Sequence, residues 1–149
     1  MGQDVPEAVK KVYVTLHKKD GGSYALALLA TLVEFIYVIA ILDVMPVSYM
    51  MGLTVIANIF LIFLLFTCAV KINVYNAKWA VVCLAAAGYM ALRGLVIVPL
   101  ALQPYARQTL LLTANLAGAA LLLAAGVGSI RKSTKRQKLQ QQLQQGLGA

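Results

Sequence analysis

The amino-acid sequence predicts an all-α membrane protein, a bundle of four transmembrane helices. Hydrophobic residues make up 61% of the chain and charged residues only 12%, whereas water-soluble domains keep about a quarter of their residues charged. A chain of 149 residues cannot bury that much apolar surface in one small core. The apolar residues form four runs, each with about the twenty residues that cross ~30 Å of hydrocarbon as a helix. The predicted spans are 24–42, 49–70, 79–102 and 109–130.

Residues 1–22 precede the first span and are predicted to form an interfacial amphipathic helix. Apolar residues recur at helical spacing from Val5 to Leu16 and give this segment one apolar face. A helix of this kind lies in the headgroup region, where its cations meet anionic lipid headgroups. The cations of this segment are Lys10, Lys11, Lys18 and Lys19. The Asp-Gly-Gly sequence at 20–22 is expected to break the helix, with Ser23 capping the next one.

The connections within the predicted bundle, residues 23–130, set its topology. They are too short to cross the bilayer, so neighbouring helices must run antiparallel, up-down-up-down. Cytoplasmic loops of membrane proteins carry an excess of Lys and Arg. Eleven of the thirteen Lys and Arg residues lie in the N-terminal segment, the middle connection or the C-terminal tail, whereas the other two connections contain only Arg107. Both termini are therefore predicted to be cytoplasmic, in a plasma membrane.

The C-terminal segment, residues 131–149, changes to a basic, Gln-rich composition. Its residues favour helix, and Leu139 and Leu143 share one helical face. Two interpretations stay open: a solvated basic tail that anchors the topology, or a continuation of the fourth helix that docks a partner. The cations of this segment are Arg131, Lys132, Lys135, Arg136 and Lys138.

Each predicted span carries one strongly polar residue far from its ends: Glu34, Asn58, Arg93 and Asn115. An unpaired charge at such a position costs at least ~2.5 kcal/mol. Counted at about 1.5 Å per residue from the cytoplasmic boundary, the four residues lie at depths of about 15 to 22 Å. Pro99 is expected to kink the third span beyond Arg93. We therefore predict that Glu34 and Arg93 meet in a polar layer near the middle of the bilayer.

Helical geometry adds neighbours to this polar layer. The side chains that share a helical face with one of its members are Tyr37, Thr54 and Tyr89. One hypothesis makes the cluster a hydrogen-bonded network that fixes helix register, with Glu34 and Arg93 as an ion pair. Another makes it a binding or translocation site in which Glu34 carries a proton or cation. In a third, Glu34 or Arg93 faces another subunit.

Several function classes lack the residues that they need. The basic residues are not interleaved with aromatic ones, as they are on nucleic-acid-binding surfaces. The predicted spans contain no His, no carboxylate pair and no metal-ligand cluster. Cys68 and Cys83 have neither CxxC nor metal spacing and are expected to be small buried thiols. We therefore expect no enzyme activity, no cofactor, no metal and no nucleic-acid partner.

The remaining classes are membrane subunits and transporters. The fourth span carries a ridge of small residues, spaced four apart, that permits close helix approach: Ala120, Ala124 and Gly128. This ridge favours a non-catalytic accessory, assembly or structural subunit that associates with itself or with a larger membrane complex. The alternative is a small ion- or proton-coupled transporter or channel that uses the polar layer.

Overall fold

The computed structural model describes residues 7–101 and 108–147, and within these ranges the chain is helical apart from short connections. The elements are α1 (Glu7–His17), α2 (Gly21–Val44), α3 (Tyr49–Asn73), α4 (Ala77–Leu92), a π-helical turn (Arg93–Ile97), α5 (Val98–Ala101) and α6 (Gln108–Leu147). Four helical stretches are long and apolar enough to cross a membrane. They contain α2, α3, α4 with its π-helical turn, and α6. The predicted all-α class with four apolar helices is confirmed.

The start of α2 differs from the prediction. Asp20, not Ser23, is the N-terminal cap: its Oδ1 accepts a hydrogen bond of 3.2 Å from the backbone N–H of Ser23. A carboxylate at this position satisfies one of the N–H groups that a helix leaves open at its start. The helix therefore starts at Gly21, so Gly21 and Gly22 belong to its first turn. The predicted break lies at residues 18–20 instead.

The end of α2 and the conformation of its connection to α3 are explained by a proline. Met45 has an extended backbone conformation, with φ −82° and ψ 137°, because the ring of Pro46 disfavours helical geometry in the preceding residue. Ser48 then caps α3, and its Oγ accepts a hydrogen bond of 3.2 Å from the N–H of Met51. Only residues 45–48 therefore separate α2 from α3.

The last helix is longer than a membrane crossing requires. α6 contains 40 residues, or about 60 Å at 1.5 Å per residue, and so extends well beyond the predicted span at 109–130. The basic C-terminal segment therefore continues the fourth helix as far as Leu147, and the docking of a partner by this segment stays a prediction. Residues 1–6 of the interfacial segment, residue 102 of the third predicted span, and Arg107 lie outside the described residues.

Two apolar clusters form the interior, where α6 packs against α2 and α4, and α3 packs beside them. The first cluster lies towards the basic end of the bundle and is rich in small residues. Its fully buried members are Ala27, Ala30, Leu65, Cys68, Ala69, Ile72, Ala80, Cys83, Met90, Leu122 and Ala125. The second lies towards the opposite end and consists of Tyr37, Ala40, Ile41, Val98, Leu111 and Ala114. Small side chains let the helix backbones approach closely, which supplies the van der Waals contact that drives association in lipid.

Candidate functional site

Arg93 occupies the centre of the bundle and is only 3% exposed. Its Nη1 donates hydrogen bonds to Oε1 of Glu34 at 2.8 Å and to Oδ1 of Asn58 at 2.6 Å. Its Nη2 donates to Oε2 of Glu34 at 2.5 Å, and its Nε donates to Oδ1 of Asn115 at 2.6 Å. The guanidinium thus holds both carboxylate oxygens in a bidentate fork, the strongest geometry for such a pair. We call these four side chains the Arg93 network.

The two asparagines are oriented by their own helices. Nδ2 of Asn58 donates to the carbonyl oxygen of Thr54 at 2.8 Å, and Nδ2 of Asn115 donates to that of Leu111 at 2.7 Å. Each side-chain amide therefore accepts a hydrogen bond from Arg93 through its oxygen and donates one to the backbone of its own helix through its nitrogen. The hydroxyl of Thr54 instead donates to the carbonyl oxygen of Met50. Thr54 thus supports Asn58 through its backbone, and its side chain contributes no hydrogen bond to the network.

Two tyrosines flank the guanidinium. The ring centroid of Tyr37 lies 3.8 Å from Cζ of Arg93, and that of Tyr89 lies 5.6 Å away. Tyr37 is buried, whereas Tyr89 is 45% exposed. A cation above an aromatic face is attracted to the ring quadrupole, most strongly where water is excluded. Tyr37 therefore covers the ion pair from the interior, and Tyr89 shields it at the edge of the bundle.

Glycines allow the helices to approach one another around the network. A Cβ atom on Gly94 would lie 2.7 Å from Cβ of Asn115, and one on Gly126 would lie 2.7 Å from Leu84. These inner glycines bring α4 and its π-helical turn against α6. The predicted packing ridge lies elsewhere on α6: Ala120 and Ala124 are exposed, and Gly128 is half-buried beside Ser23.

The π-helical turn at the network was not predicted from the sequence. The N–H of Val98 donates to the carbonyl oxygen of Arg93, five residues earlier. Pro99 has no N–H, and its ring clashes with the carbonyl group of the preceding helical turn. The sequence signal for the π-helical turn was therefore this proline, for which only a kink was predicted. Such insertions into a helix are frequent at functional sites. Here the widened turn begins at the arginine that holds the bundle centre.

The Arg93 network separates the two apolar clusters. On α2, Glu34 lies between Ala30 of the first cluster and Tyr37 of the second. On the third apolar stretch, Arg93 lies between Met90 and Val98 in the same order. The interior thus consists of two apolar layers with one polar layer between them, so the hydrogen bonds specify how the helices align along their axes.

A second polar site lies at the basic end of the bundle. Asp20 donates its backbone N–H to the carbonyl oxygen of Asn73 at 3.1 Å, and its Oδ1 lies 2.5 Å from Nζ of Lys132. Nη2 of Arg136 donates to the carbonyl oxygen of Leu16. We call this arrangement the basic junction, because it ties α1, α2, α3 and α6 together. The other predicted basic residues are exposed: Lys10, Lys11, Lys18, Lys19, Arg131, Lys135 and Lys138.

Neither site contains a metal-binding set. Across residues 7–101 and 108–147, no three His, Cys, Asp or Glu side chains lie close enough to share a metal ion. Cys68 and Cys83 are free, buried thiols of the first apolar cluster. Searches with the whole chain find no matching protein-family model, curated protein or solved structure.

Proposed function

We propose that this chain is a non-catalytic membrane subunit that associates with itself or with a larger membrane complex, and that the Arg93 network holds its four helices in register. The observation that carries this proposal is that the network is closed. All three nitrogens of Arg93 donate hydrogen bonds, and Glu34, which is fully buried, receives two of them. A buried charge pair in which every nitrogen and oxygen atom has a hydrogen-bond partner is typical of a network that specifies structure.

The unpartnered polar atoms support the same conclusion. Among the described residues, the buried side-chain nitrogen and oxygen atoms without a hydrogen bond belong to Asp20, Ser129 and Arg136. The network contributes none of them. A site that carries a proton or an ion through the membrane needs groups that can exchange partners, and here both carboxylate oxygens of Glu34 are already bonded to Arg93.

The surface for association is the outer side of α6. Ala120 and Ala124 are exposed there, next to exposed Leu116, Leu123 and Val127. Small residues among larger ones form a groove into which a second helix packs closely in lipid. Because the inner glycines already serve contacts within the chain, these alanines remain available for contacts with another one.

The proposed topology is up-down-up-down, with both termini in the cytoplasm. The proposed location is the plasma membrane. The basic junction supports the helix order, because the start of α2, the end of α3 and the basic part of α6 are hydrogen-bonded to one another. The cation distribution supports the orientation. Anionic lipid headgroups would then lie against the exposed lysines of α1 and α6.

Association can be tested with full-length protein labelled on one engineered site and reconstituted at low density into liposomes. Ala124→Ile places a bulky side chain in the groove, and we expect it to reduce the associated fraction several-fold in single-molecule photobleaching. Ala57→Ile is the matched control, because Ala57 is exposed on α3 and outside the groove. Equal association of the two variants, or a monomeric parent protein both in liposomes and in native membranes, would refute the proposed surface.

A second candidate function is a small proton- or ion-coupled transporter or channel. The π-helical turn favours it, since Arg93 begins a segment whose backbone hydrogen bonds can rearrange. This function requires flux across liposomes that depends on the charges of Glu34 and Arg93. A fold that persists when both charges are removed, together with unchanged flux, would exclude it.

A further inference from the structure

A pocket of about 180 Å³ lies at the basic junction, between α1, the α3–α4 connection and α6. Its apolar walls come from Leu16, Tyr75 and Leu139, and its cations are Lys132, Lys135 and Arg136. Such a combination of apolar wall and converging positive charge differs from a solvated lysine face, because the pocket can surround a ligand on several sides. The charge and the shape together indicate an anion with an attached apolar part.

Arg136 supplies the strongest indication of a ligand. One of its nitrogens, Nη2, donates to the carbonyl oxygen of Leu16, and the guanidinium lies over the ring of Tyr75, with Cζ 4.5 Å from the centroid. Nε is buried and has no hydrogen-bond partner among the described residues. Buried N–H groups are nearly always bonded. The guanidinium is therefore fixed on two sides while it lines the pocket, and its Nε is a donor that no described residue uses.

The other two cations complete an electropositive pocket. Lys132 pairs with Asp20, whose negative charge offsets that of the lysine, so Lys132 adds little net positive charge to the pocket. Lys135 is exposed and lines the same pocket, so its charge adds to that of Arg136. An arginine fork with a nearby lysine matches the geometry and charge of a phosphate group.

The backbone of Tyr75 is held in an uncommon conformation at this pocket. Its φ of 60° lies in the left-handed region, which a bulky residue adopts only at some cost in energy. Glycine or asparagine would form this turn more easily. The tyrosine provides the ring on which the guanidinium of Arg136 stacks, so the strained turn serves the pocket.

The pocket lies at the end of the apolar part of the bundle. Lys132 pairs with Asp20, the residue that caps the start of α2, and the apolar part of α6 ends just before Arg131. If α2 and α6 cross a bilayer, this level coincides with the phospholipid headgroups.

We propose that the pocket at the basic junction binds a phosphate group, carried by an anionic phospholipid headgroup or by a soluble phosphate ester. The guanidinium of Arg136, which lines the pocket, bonds the phosphate oxygens through N–H groups that Leu16 does not use. Lys135 adds charge, and the apolar wall contacts the part of the ligand that is attached to the phosphate. This inference requires no association with another chain. Ala124→Ile protein is therefore expected to bind the ligand normally, so a failure of the proposed assembly role is distinguishable from a failure of this site.

Native mass spectrometry of full-length protein in a neutral detergent tests the proposal. The probes are phosphatidic acid, phosphatidylcholine, whose phosphate is screened by choline, and the soluble ester glycerol 3-phosphate. We expect one saturable adduct with phosphatidic acid, at least about tenfold tighter than with phosphatidylcholine. Competition by glycerol 3-phosphate at equal affinity would assign the site to a soluble ester, and its failure to compete would assign it to lipid.

Variants locate the site. Arg136→Gln is expected to weaken the phosphatidic acid adduct about tenfold, whereas Lys138→Gln, which removes an exposed cation outside the pocket, changes it less than about twofold. Lys135→Gln provides a second variant, because this exposed side chain can be changed without disturbing the hydrogen bond to Leu16. Its adduct is expected to weaken several-fold. Equal weakening by all three variants, or no saturable adduct with any probe, would overturn the proposal.

Discussion

Two arginines among the described residues are buried or partly buried, Arg93 and Arg136, and they illustrate opposite uses of one side chain. The guanidinium of Arg93 hydrogen-bonds only to side chains, which reach it from α2, α3 and α6. Arg136 bonds to a backbone carbonyl and an aromatic ring, and its Nε stays unpartnered among the described residues. Every nitrogen of the Arg93 guanidinium has a hydrogen-bond partner within the fold, whereas the Arg136 guanidinium keeps one nitrogen for which we propose a ligand.

This difference follows from where each arginine lies. In the middle of the bundle, an unpaired charge is costly enough that the fold must supply every partner. At the end of the bundle, water and headgroups can supply partners, and side chains there can be used for recognition. The contrast predicts that changes in the Arg93 network affect stability, whereas changes at the basic junction affect ligand binding and local order.

The largest effect is expected when one charge of the central ion pair is removed. Glu34→Leu leaves a guanidinium that cannot lose its proton, and we expect a loss of about 3 kcal/mol or more in the free energy of unfolding. Arg93→Met is expected to cost less, because the remaining carboxyl can take up a proton and become neutral. Unfolding by SDS in mixed micelles, followed through the fluorescence of the single tryptophan, Trp79, measures both.

The double variant Glu34→Leu, Arg93→Met separates structure from transport. It is expected to recover most of the lost stability, since an apolar pair can replace a buried ion pair, although the oxygens of Asn58 and Asn115 lose their donor. Proton and cation flux across liposomes is expected to be the same for this variant and the parent. A folded double variant that has lost flux present in the parent would support the transporter function instead.

The polar layer could be predicted from the sequence because charges within hydrocarbon must find partners. Counting residues along each helix then placed Glu34 and Arg93 at similar depths. Helical periodicity placed Tyr37 on the same face of its helix as Glu34. The π-helical turn at Arg93 could not be predicted in this way. It depends on how the backbone before Pro99 fits against α6, and a proline alone allows either a kink or a widened turn.

The basic junction shows more clearly what sequence patterns leave out. Lysines and arginines beyond the fourth span indicated membrane orientation and left a solvated tail or a docking helix open, but they did not indicate a pocket. The contact of Arg136 with the carbonyl oxygen of Leu16 depends on the length of α6 and on where α1 folds back against it. Both are consequences of tertiary packing. The cap at Asp20 was missed since Ser23 is an equally acceptable cap by residue type.

A smaller effect is expected when the spacing of the helices around the Arg93 network is changed. Gly94→Ala places a Cβ atom 2.7 Å from Cβ of Asn115, a rigid contact that must push α6 away and lengthen the bond to Arg93. The expected loss is about 1 to 3 kcal/mol. Gly88→Ala is the matched control on the same helix, because its Cβ would meet nothing within 4 Å. It should be neutral or stabilising by up to about 1 kcal/mol, and an equal loss in both would show that helix spacing is not limiting.

The smallest effects are expected at the helix caps, where the two ends of the bundle can be compared directly. Asp20→Ala removes a cap and the partner of Lys132, and we expect a loss of about 1 to 2 kcal/mol. Ser48→Ala removes only the exposed cap of α3 and is expected to cost about 0.5 to 1 kcal/mol. The difference stays small because the side chain of Lys132 is 47% exposed and regains water when its partner is lost.

Asp20→Asn distinguishes the cap from the ion pair at the basic junction. Asparagine caps a helix about as well as aspartate, so this variant should retain most of the unfolding free energy that Asp20→Ala loses. Its effect should appear instead as faster amide hydrogen exchange at the start of α2, because Lys132 no longer pairs with the residue that caps this helix. If Asp20→Asn destabilised the protein as much as Asp20→Ala, the ion pair would be the main stabilising contact. The basic junction would then resemble the Arg93 network more closely than its exposure implies.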